Sequence, residues 1–193
     1  TWNPKNNQIA FIGNNGFASD IYIYDIDEDK LTNYTNDWYT DDQISWDEKG
    51  ENLFFVSNRG DNTEPNQKNM VDIFSSDYEQ TDIYRLNIRK NLISRLTNTE
   101  ANESYPFYSD SKKMLGYISD DNGINNIYLK LNSSPKGMPI TNVLTGITQL
   151  SWNSTTNQLI FTGFNNSGYD IFTIYQPKKY LNIGAKIPRG ALL

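Results

Sequence analysis

Short hydrophobic runs separated by polar turns occupy most of this chain. The runs in residues 8–13 (QIAFIG) and 21–25 (IYIYD) have the period of two that half-buried β-strands show. Asn14, Asn15 and Gly16 lie between them and are residues that favour tight turns. The pattern therefore predicts a β-hairpin near the start of the chain, and similar runs recur as far as residue 175.

The runs recur in a fixed register. In each copy an aromatic residue is followed by two apolar strand positions and then by a triplet of Asp or Asn, Ile and an aromatic residue. The aromatic residues are Trp2, Trp46, Tyr108 and Trp152, spaced by 44, 62 and 44 residues. The triplets begin at Asp20, Asp82, Asn126 and Asp170, and the second triplet is delayed by an insertion of 18 residues. A period of this length indicates a repeat architecture.

Each repeat contains four candidate strands. A third short run ends near Thr35, and Thr97 and Thr141 hold the same place in later copies. A fourth run precedes the aromatic residue, as in residues 43–46. Four strands in about 44 residues are typical of a β-propeller blade. Helical repeats are excluded because the runs are too short and too rich in β-branched residues, Asn and Gly.

Composition narrows the range of possible functions. The chain is 13% aromatic, which argues against disorder. Its net charge of −6 argues against nucleic-acid binding, which needs a basic surface. With no Cys and no His, it has no thiolate metal site and no Ser-His-Asp triad, and we predict no catalytic residue, metal or cofactor. No apolar run approaches the roughly 20 residues of a membrane span.

The acidic run around Asp27 resembles a calcium loop, but Lys30 replaces the required Gly, so a hairpin turn is expected.

Candidate binding residues lie where the repeat is broken. The insertion, residues 61–81, falls between two strands of the second repeat, and loops on a rigid scaffold often carry binding function. Phe74 and Tyr78 are its aromatic candidates, and Arg59 stands at its start. The alternative is a hairpin that packs its own apolar residues.

A second candidate surface is the link that joins the first two repeats. Trp38 is the one tryptophan outside the repeat register, and Tyr39 and Asp42 lie close to it. An exposed tryptophan here would suit a partner, whereas a tryptophan tucked between blades would be structural. We expect a purely structural role for the recurring residues Trp2, Trp46, Tyr108, Trp152, Asp20, Asp82 and Asp170.

The motifs resemble the WD40-like repeat of TolB-type propellers. The resemblance rests on WDEKG from Trp46, LFFVSNRG from Leu53, DIY from Asp82 and RLTN from Arg95, and it covers about residues 1–175. Residues 176–193 leave the pattern and are interpreted as an exit segment. The resemblance implies an all-β propeller whose rings usually have six or seven blades. We therefore expect an open arc of such a ring rather than a closed ring of four blades, which the fold also permits.

The same resemblance implies a function. It predicts a non-catalytic interaction scaffold of the bacterial cell envelope, periplasmic or exported, whose partners are other envelope proteins. A second hypothesis is the gating propeller of a prolyl-oligopeptidase-type serine hydrolase, whose catalytic domain would lie outside this chain, since no GxSxG motif is present. A third is a propeller enzyme acting on a carbohydrate or lactone, for which Asp42 is the best placed acidic candidate near an inner strand.

Overall fold

The chain folds into antiparallel β-sheets. The computed structural model describes residues 1–14, 16–66 and 78–182. In this part the only helix is a 3-10 helix, Pro177–Asn182, and no helix is long and apolar enough to cross a membrane. Contacts between Cα atoms divide the chain into two compact units, residues 1–100 and residues from 101 onward.

The first unit contains two sheets, each built of strands that are neighbours in sequence. Sheet 1 consists of β1 (Gln8–Asn14), β2 (Ser19–Asp25) and β3 (Lys30–Asn33). Sheet 2 consists of β4 (Asp41–Trp46), β5 (Asn52–Ser57), β6 (Asp82–Asn87) and β7 (Leu92–Arg95).

The second unit repeats this arrangement. Sheet 3 consists of β8 (Glu103–Ser109), β9 (Met114–Ser119), β10 (Asn126–Leu131) and β11 (Met138–Pro139). Sheet 4 consists of β12 (Ile147–Asn153), β13 (Gln158–Asn165) and β14 (Gly168–Tyr175). The strands predicted before each aromatic residue are β4, β8 and β12, each slightly longer than predicted.

The sequence repeat is visible as backbone pairing. Each repeat aromatic residue pairs with the apolar residue seven positions later, as Trp46 pairs with Leu53 and Trp152 with Leu159. Tyr108 pairs likewise with Leu115, and Trp2 forms a single bridge to Ile9. Since a slip of one residue would turn every side chain to the other face, the sequence period and the strand register are the same property.

A cross-strand pair of aromatic rings recurs in every sheet. The four pairs have centroid distances of 5.6 to 5.9 Å and are Phe11–Tyr22, Phe55–Tyr84, Tyr117–Tyr128 and Phe161–Phe172. Cross-strand aromatic pairs each contribute roughly 0.2–1 kcal/mol to sheet stability. The pairs therefore hold the second and third strands of each repeat in register.

The recurring threonines accept hydrogen bonds from the backbone of the triplet isoleucines. The Thr35 Oγ1 accepts a hydrogen bond from the Ile21 backbone N–H at 2.8 Å. The equivalent bonds are Ile83 N–H to Thr97 Oγ1 at 2.8 Å and Ile127 N–H to Thr141 Oγ1 at 2.9 Å. A threonine hydroxyl thus replaces the sheet hydrogen bond that a longer edge strand would have made, so the edge strands β3, β7 and β11 end earlier than the alternation predicts.

Each unit has its own apolar core. In the first unit Ala10, Ile21 and Ile23 of sheet 1 pack against Leu53 and its neighbours in sheet 2. In the second unit the core cluster includes Ile118, Ile127 and Leu129 of sheet 3 and Leu159 and Phe161 of sheet 4. The division of the chain into repeats at 1–175 and an exit segment stays a prediction; β14 ends at Tyr175 and the 3-10 helix follows.

Candidate functional site

The insertion leaves sheet 2 at the end where the sheet meets the preceding link. Ser57, the last residue of β5, pairs with Asp41 at the start of β4 and with Asp82 at the start of β6. The antiparallel pairing therefore brings the link before β4 and both ends of the insertion to one end of the sheet. We call residues 58–62 the insertion root.

Arg59 of the insertion root is completely buried and binds three side chains. Its Nη1 donates to Asp37 Oδ2 at 3.0 Å and its Nη2 to Asp41 Oδ1 at 2.6 Å. Its Nε donates to Ser57 Oγ at 3.0 Å. The planar guanidinium is suited to this arrangement because its donors point in fixed directions. The side chain thereby ties the insertion root to the link.

Aromatic rings surround this buried charge. The Arg59 guanidinium carbon lies 5.5 Å from the ring centroid of Tyr39, 5.4 Å from that of Phe55 and 5.8 Å from that of Tyr84. A cation within about 6 Å of a ring centroid is attracted by the ring quadrupole. Two carboxylates and three rings thus compensate part of the cost of removing the cation from water.

Burial strongly affects the ionisation of the three groups. Desolvation raises the pKa of Asp37 to about 6, against the opposing effect of the Arg59 charge. Burial likewise raises the pKa of Asp41, again opposed by Arg59. Burial alone would lower the pKa of Arg59, but the charges of Asp41 and Asp37 outweigh it and raise the pKa. The guanidinium stays charged, and the pair of acids takes up protons more readily than free aspartates.

The rest of the insertion root is also held. Gly60 accepts a hydrogen bond from the Tyr84 hydroxyl at 2.7 Å through its carbonyl oxygen. The Asp61 carboxylate pairs with Arg95 at 2.6 Å, and Arg95 also reaches Asp82 at 2.5 Å. Asn58 Oδ1 accepts from the Thr40 N–H of the link at 2.9 Å. Four consecutive residues therefore fix the direction in which the insertion departs.

The structure corrects the predicted roles of Arg59 and Tyr39. Both were predicted to contact a partner, but both side chains are buried, because the charge of Arg59 is paired internally and Tyr39 covers it. Trp38 is half-buried, and Asp42 and Tyr78 are exposed. Phe74 lies outside the described residues. The surface candidates that the structure describes at this end are therefore Trp38, Asp42 and Tyr78.

Asp42 lies beside an irregular point of β4. The pairing of β4 with β5 shifts register between Asp42 and Ser45, and Gln43 has a positive φ of 52°. The Asp42 carboxylate accepts a hydrogen bond from the Gln43 N–H at 2.7 Å. A bulge changes the direction in which neighbouring side chains point. In β8 the equivalent residue, Tyr105, has φ of 50°, so the bulge belongs to the repeat rather than to one site.

The contacts of Asp37 and Asp41 with Arg59 were not predicted from sequence. Asp37 lies in the link and Asp41 is the first residue of β4, directly before Asp42, in an acidic run that could have been a solvated surface. The sequence contains one indication of these contacts. The positions equivalent to Asp37 in the other links are occupied by the uncharged residues Thr99 and Val143. An acid in this link alone among the three compared, together with an arginine just after β5, indicates a compensating pair.

The recurring residues lie in the framework. Trp46 and Trp152 pack against the two core clusters, and the Tyr108 hydroxyl accepts a hydrogen bond from Asn132 Nδ2 at 2.9 Å. Trp2 is 57% exposed.

The triplet acids make polar contacts in the turns. Asp20 accepts from the Asp37 N–H at 3.4 Å, and Asp82 is paired with Arg95. Asp170 is exposed and accepts from Asn165 Nδ2 at 3.0 Å.

The acidic run near Asp27 forms a hairpin turn between β2 and β3. Asp25 Oδ1 accepts from the backbone N–H groups of Asp27 and Glu28 at 3.1 Å, and Asp29 accepts from the Tyr24 hydroxyl at 2.6 Å. The carboxylates thus serve the turn itself. Across residues 1–14, 16–66 and 78–182, no group of three or more acidic side chains is arranged to hold a metal ion.

Comparison with known proteins gives matches in structure. No family model matches the chain, and no curated protein matches it. A TolB-type protein from Agrobacterium tumefaciens is similar with a TM-score of 0.70 at 14% identity, over 91% of this chain and 60% of that protein. TolB from Acinetobacter baumannii is similar with a TM-score of 0.65 at 15% identity, over 95% of this chain and 40% of that protein. A prolyl endopeptidase is similar with a TM-score of 0.57 at 10% identity, over 91% of this chain and 26% of that protein.

The fold class follows from these likenesses and from the sheets. The chain has a β-propeller fold, with strands in antiparallel blades of three or four. More narrowly, it is the TolB-type propeller fold, which confirms the resemblance seen in the repeat motifs. The chain spans about 60% and 40% of the two TolB structures it matches.

Proposed function

We propose that this chain is a non-catalytic protein-interaction scaffold of the bacterial cell envelope. It binds its partners, which are other envelope proteins, through the end of sheet 2 that carries the insertion. The likeness to TolB structures supports the scaffold and the compartment, which is the periplasm or the exterior. The site described above supports the position of the binding surface.

The buried Arg59 is the observation that carries the proposal. A cation with two acids costs several kcal/mol of desolvation per ion, and an apolar core of the same volume is often as stable. Among the residues that the structure describes, only the second repeat combines this cluster with the insertion, and the cluster ties the insertion root to the link. Fixing a loop before binding reduces the entropy lost when a partner binds. A role of the insertion in recognition would therefore explain why this costly cluster is present.

The chemistry of the exposed residues suggests the kind of partner. Trp38 and Tyr78 offer aromatic surface, and Asp42 offers a negative charge on a chain whose net charge is −6. Aromatic residues are enriched at the centres of protein interfaces. Phe74, in the same insertion, is a further aromatic candidate. The matching partner surface has an apolar pocket with basic residues at its edge.

Site-specific photo-crosslinking in cells tests this proposal. A photoreactive amino acid is placed at Trp38, Asp42 or Tyr78, and at Lys49 as the control. Lys49 is exposed in the turn between β4 and β5, at the opposite end of sheet 2. We expect the first three positions to crosslink one shared envelope protein that Lys49 does not reach. Equal labelling from Lys49, or no shared product, would count against the binding surface.

A second candidate function is the gating propeller of a prolyl-oligopeptidase-type serine hydrolase. The likeness to a prolyl endopeptidase propeller favours it, with a TM-score of 0.57. An active-site serine probe of the fluorophosphonate class separates the two functions. If the protein isolated from its native cells is labelled, the gate is correct; if it is unlabelled while a control hydrolase reacts, the scaffold is supported.

A further inference from the structure

The buried cluster at the insertion root contains more acid than base. We call Asp37, Asp41 and Arg59 the Arg59 cluster. Arg59 pairs with Asp37 at 3.0 Å and with Asp41 at 2.6 Å, and all three side chains are 0% exposed. With both carboxyl groups ionised, the cluster therefore holds one uncompensated negative charge away from water. Such a charge is costly, and a buried acid usually lowers the cost by taking up a proton.

One oxygen of the cluster is poorly placed to carry a negative charge. Asp41 Oδ1 accepts the hydrogen bond from Arg59, but the buried Asp41 Oδ2 has no hydrogen-bond partner among the residues that the structure describes. Buried polar atoms are nearly always hydrogen-bonded. The excess charge and this oxygen both favour a form of the cluster that carries one additional proton.

Other ionisable groups face the cluster from the elements packed around it. Asp20, in β2, is buried, and its Oδ1 accepts a hydrogen bond from the Asp37 N–H at 3.4 Å. The rings of Tyr39, in the link, and Tyr84, in β6, lie 5.5 and 5.8 Å from the Arg59 guanidinium carbon. Burial raises the pKa of Tyr84, so this tyrosine stays neutral in the acidic range. These neighbours therefore add negative charge, from Asp20, and no positive charge.

A second ion-pair group is close enough to Tyr84 to affect its pKa. In this group Arg95 pairs with Asp61 at 2.6 Å and with Asp82 at 2.5 Å. Because two acids already compensate Arg95, this group supplies no excess positive charge to the Arg59 cluster.

The ionisation of the two buried acids has the direction that this charge count requires. Desolvation raises the pKa of Asp37 to about 6, although the Arg59 charge opposes the shift. Burial likewise raises the pKa of Asp41, again against the effect of Arg59. Because both carboxyl groups share one guanidinium, the added proton belongs to the pair of acids.

We propose that the Arg59 cluster takes up one proton as the pH falls from 8 to 5, and that this proton strengthens the attachment of the insertion root to the link. The effect on partner binding rests on the proposed function, because a loop that is ordered beforehand loses less entropy on binding. Mild acidity then favours recognition. The effect on the insertion root does not depend on the proposed function.

The size of the effect follows from the two states of the root. When the root is released, the carboxyl groups are solvated and have the ordinary aspartate pKa of 3.8, against about 6 for Asp37 in the folded protein. The added stability is complete below pH 3.8 and is lost as the pH rises through about 6. Between pH 8 and pH 5 the equilibrium should shift about tenfold towards the attached root.

Amide hydrogen exchange tests the attachment without a partner. The reporter is the Thr40 N–H, which donates to Asn58 Oδ1 of the insertion root at 2.9 Å. The control amide is the Ile127 N–H, which donates to Thr141 Oγ1 in the second unit. After correction for the intrinsic exchange rate, protection of the Thr40 N–H should increase about tenfold from pH 8 to pH 5, whereas protection of Ile127 should stay nearly constant.

Amide variants of the two acids test the role of the proton. Asp37→Asn removes the excess negative charge, so its insertion root should be as well protected at pH 8 as at pH 5, and Asp41→Asn serves as a second variant. Glu28→Gln is the matched control, since it removes one negative charge from the exposed turn between β2 and β3 and should keep the tenfold response. A response that is absent from the original protein, or that persists in both Asn variants, overturns the proposal.

Carbon-13 NMR of the aspartate carboxyl groups measures the proton directly in the original protein. One carboxyl group of the cluster should titrate near pH 6. Titration of both groups at the ordinary aspartate pKa would overturn the proposal even if neither Asn variant folds.

Partner binding at the two pH values separates this inference from the proposed function. The affinity for the crosslinked envelope protein should rise up to about tenfold from pH 8 to pH 5 in the original protein and stay constant in Asp37→Asn. An affinity that changes equally in both proteins overturns the effect on recognition but leaves the scaffold. If no envelope protein binds, the proposed function fails, and the exchange experiment still decides whether a proton strengthens the insertion root.

Discussion

Replacing Arg59 by methionine should destabilise the protein strongly at pH 8. The substitution removes the hydrogen bonds to Asp37, Asp41 and Ser57 and leaves both carboxyl groups buried without a cation. Breaking a buried ion pair from one side typically costs about 3–5 kcal/mol. We expect a loss in this range in the free energy of unfolding, measured by urea titration with tryptophan fluorescence.

The loss should depend on pH in a defined direction. Burial raises the pKa of Asp37 from 3.8 to about 6 in the folded protein. A raised pKa means that the stability contributed by this group is greatest below pH 3.8 and declines as pH rises through about 6. Without Arg59 the carboxyl groups lose their cation, so their pKa values rise further. The difference in the free energy of unfolding between the variant and the original protein should therefore shrink by at least about 1 kcal/mol from pH 8 to pH 5.5.

Two controls separate the charge effect from a packing effect. Arg85→Met changes an exposed arginine in β6 and should alter stability by no more than about 0.5 kcal/mol. The triple variant Arg59→Met, Asp37→Asn, Asp41→Asn removes every charge of the cluster and should recover part of the loss. A loss below about 1 kcal/mol at pH 8, or one that does not vary with pH, would refute the electrostatic account.

Two further predictions concern the repeat. Thr141→Val should cost about 1–3 kcal/mol in urea unfolding, because the buried Ile127 N–H loses its acceptor, whereas Thr141→Ser should cost less; equal effects would contradict the role of the hydroxyl. Gly116→Ala should cost about 1–3 kcal/mol, since a Cβ there would lie 2.1 Å from the Phe107 ring. Gly163→Ala, whose nearest contact would be an ordinary 3.4 Å, should be nearly neutral, and a thermal melt that ranks the two glycines in reverse would refute the packing argument.

The fold was predictable because the repeat and the pairing register are one pattern. The offset of seven from Trp46 to Leu53, read in the sequence, is the observed backbone pair. The ends of the edge strands β3, β7 and β11 were less predictable, since a threonine hydroxyl replaces a backbone partner there. This hydrogen bond is made by a side chain, and the alternation of hydrophobic and polar residues carries no information about it.

The candidate site was predictable in position but not in detail. The insertion and the link both stand out as breaks in the repeat, and the structure brings them to one end of sheet 2. Arg59 was expected at the surface because an arginine after a strand is usually solvated. Its partners Asp37 and Asp41 lie 22 and 18 residues earlier in the chain, so only the folded sheet reveals the cluster.

The central claim is that the repeat is a scaffold and the insertion recognises the partner. The most direct test uses a variant in which a short glycine–serine linker replaces residues 63–77. This variant keeps the insertion root and Tyr78. Binding of the crosslinked partner is then measured by calorimetry beside the melting temperature. We expect binding to weaken at least about a hundredfold, near 3 kcal/mol, with the melting temperature almost unchanged. Unchanged affinity would contradict the claim.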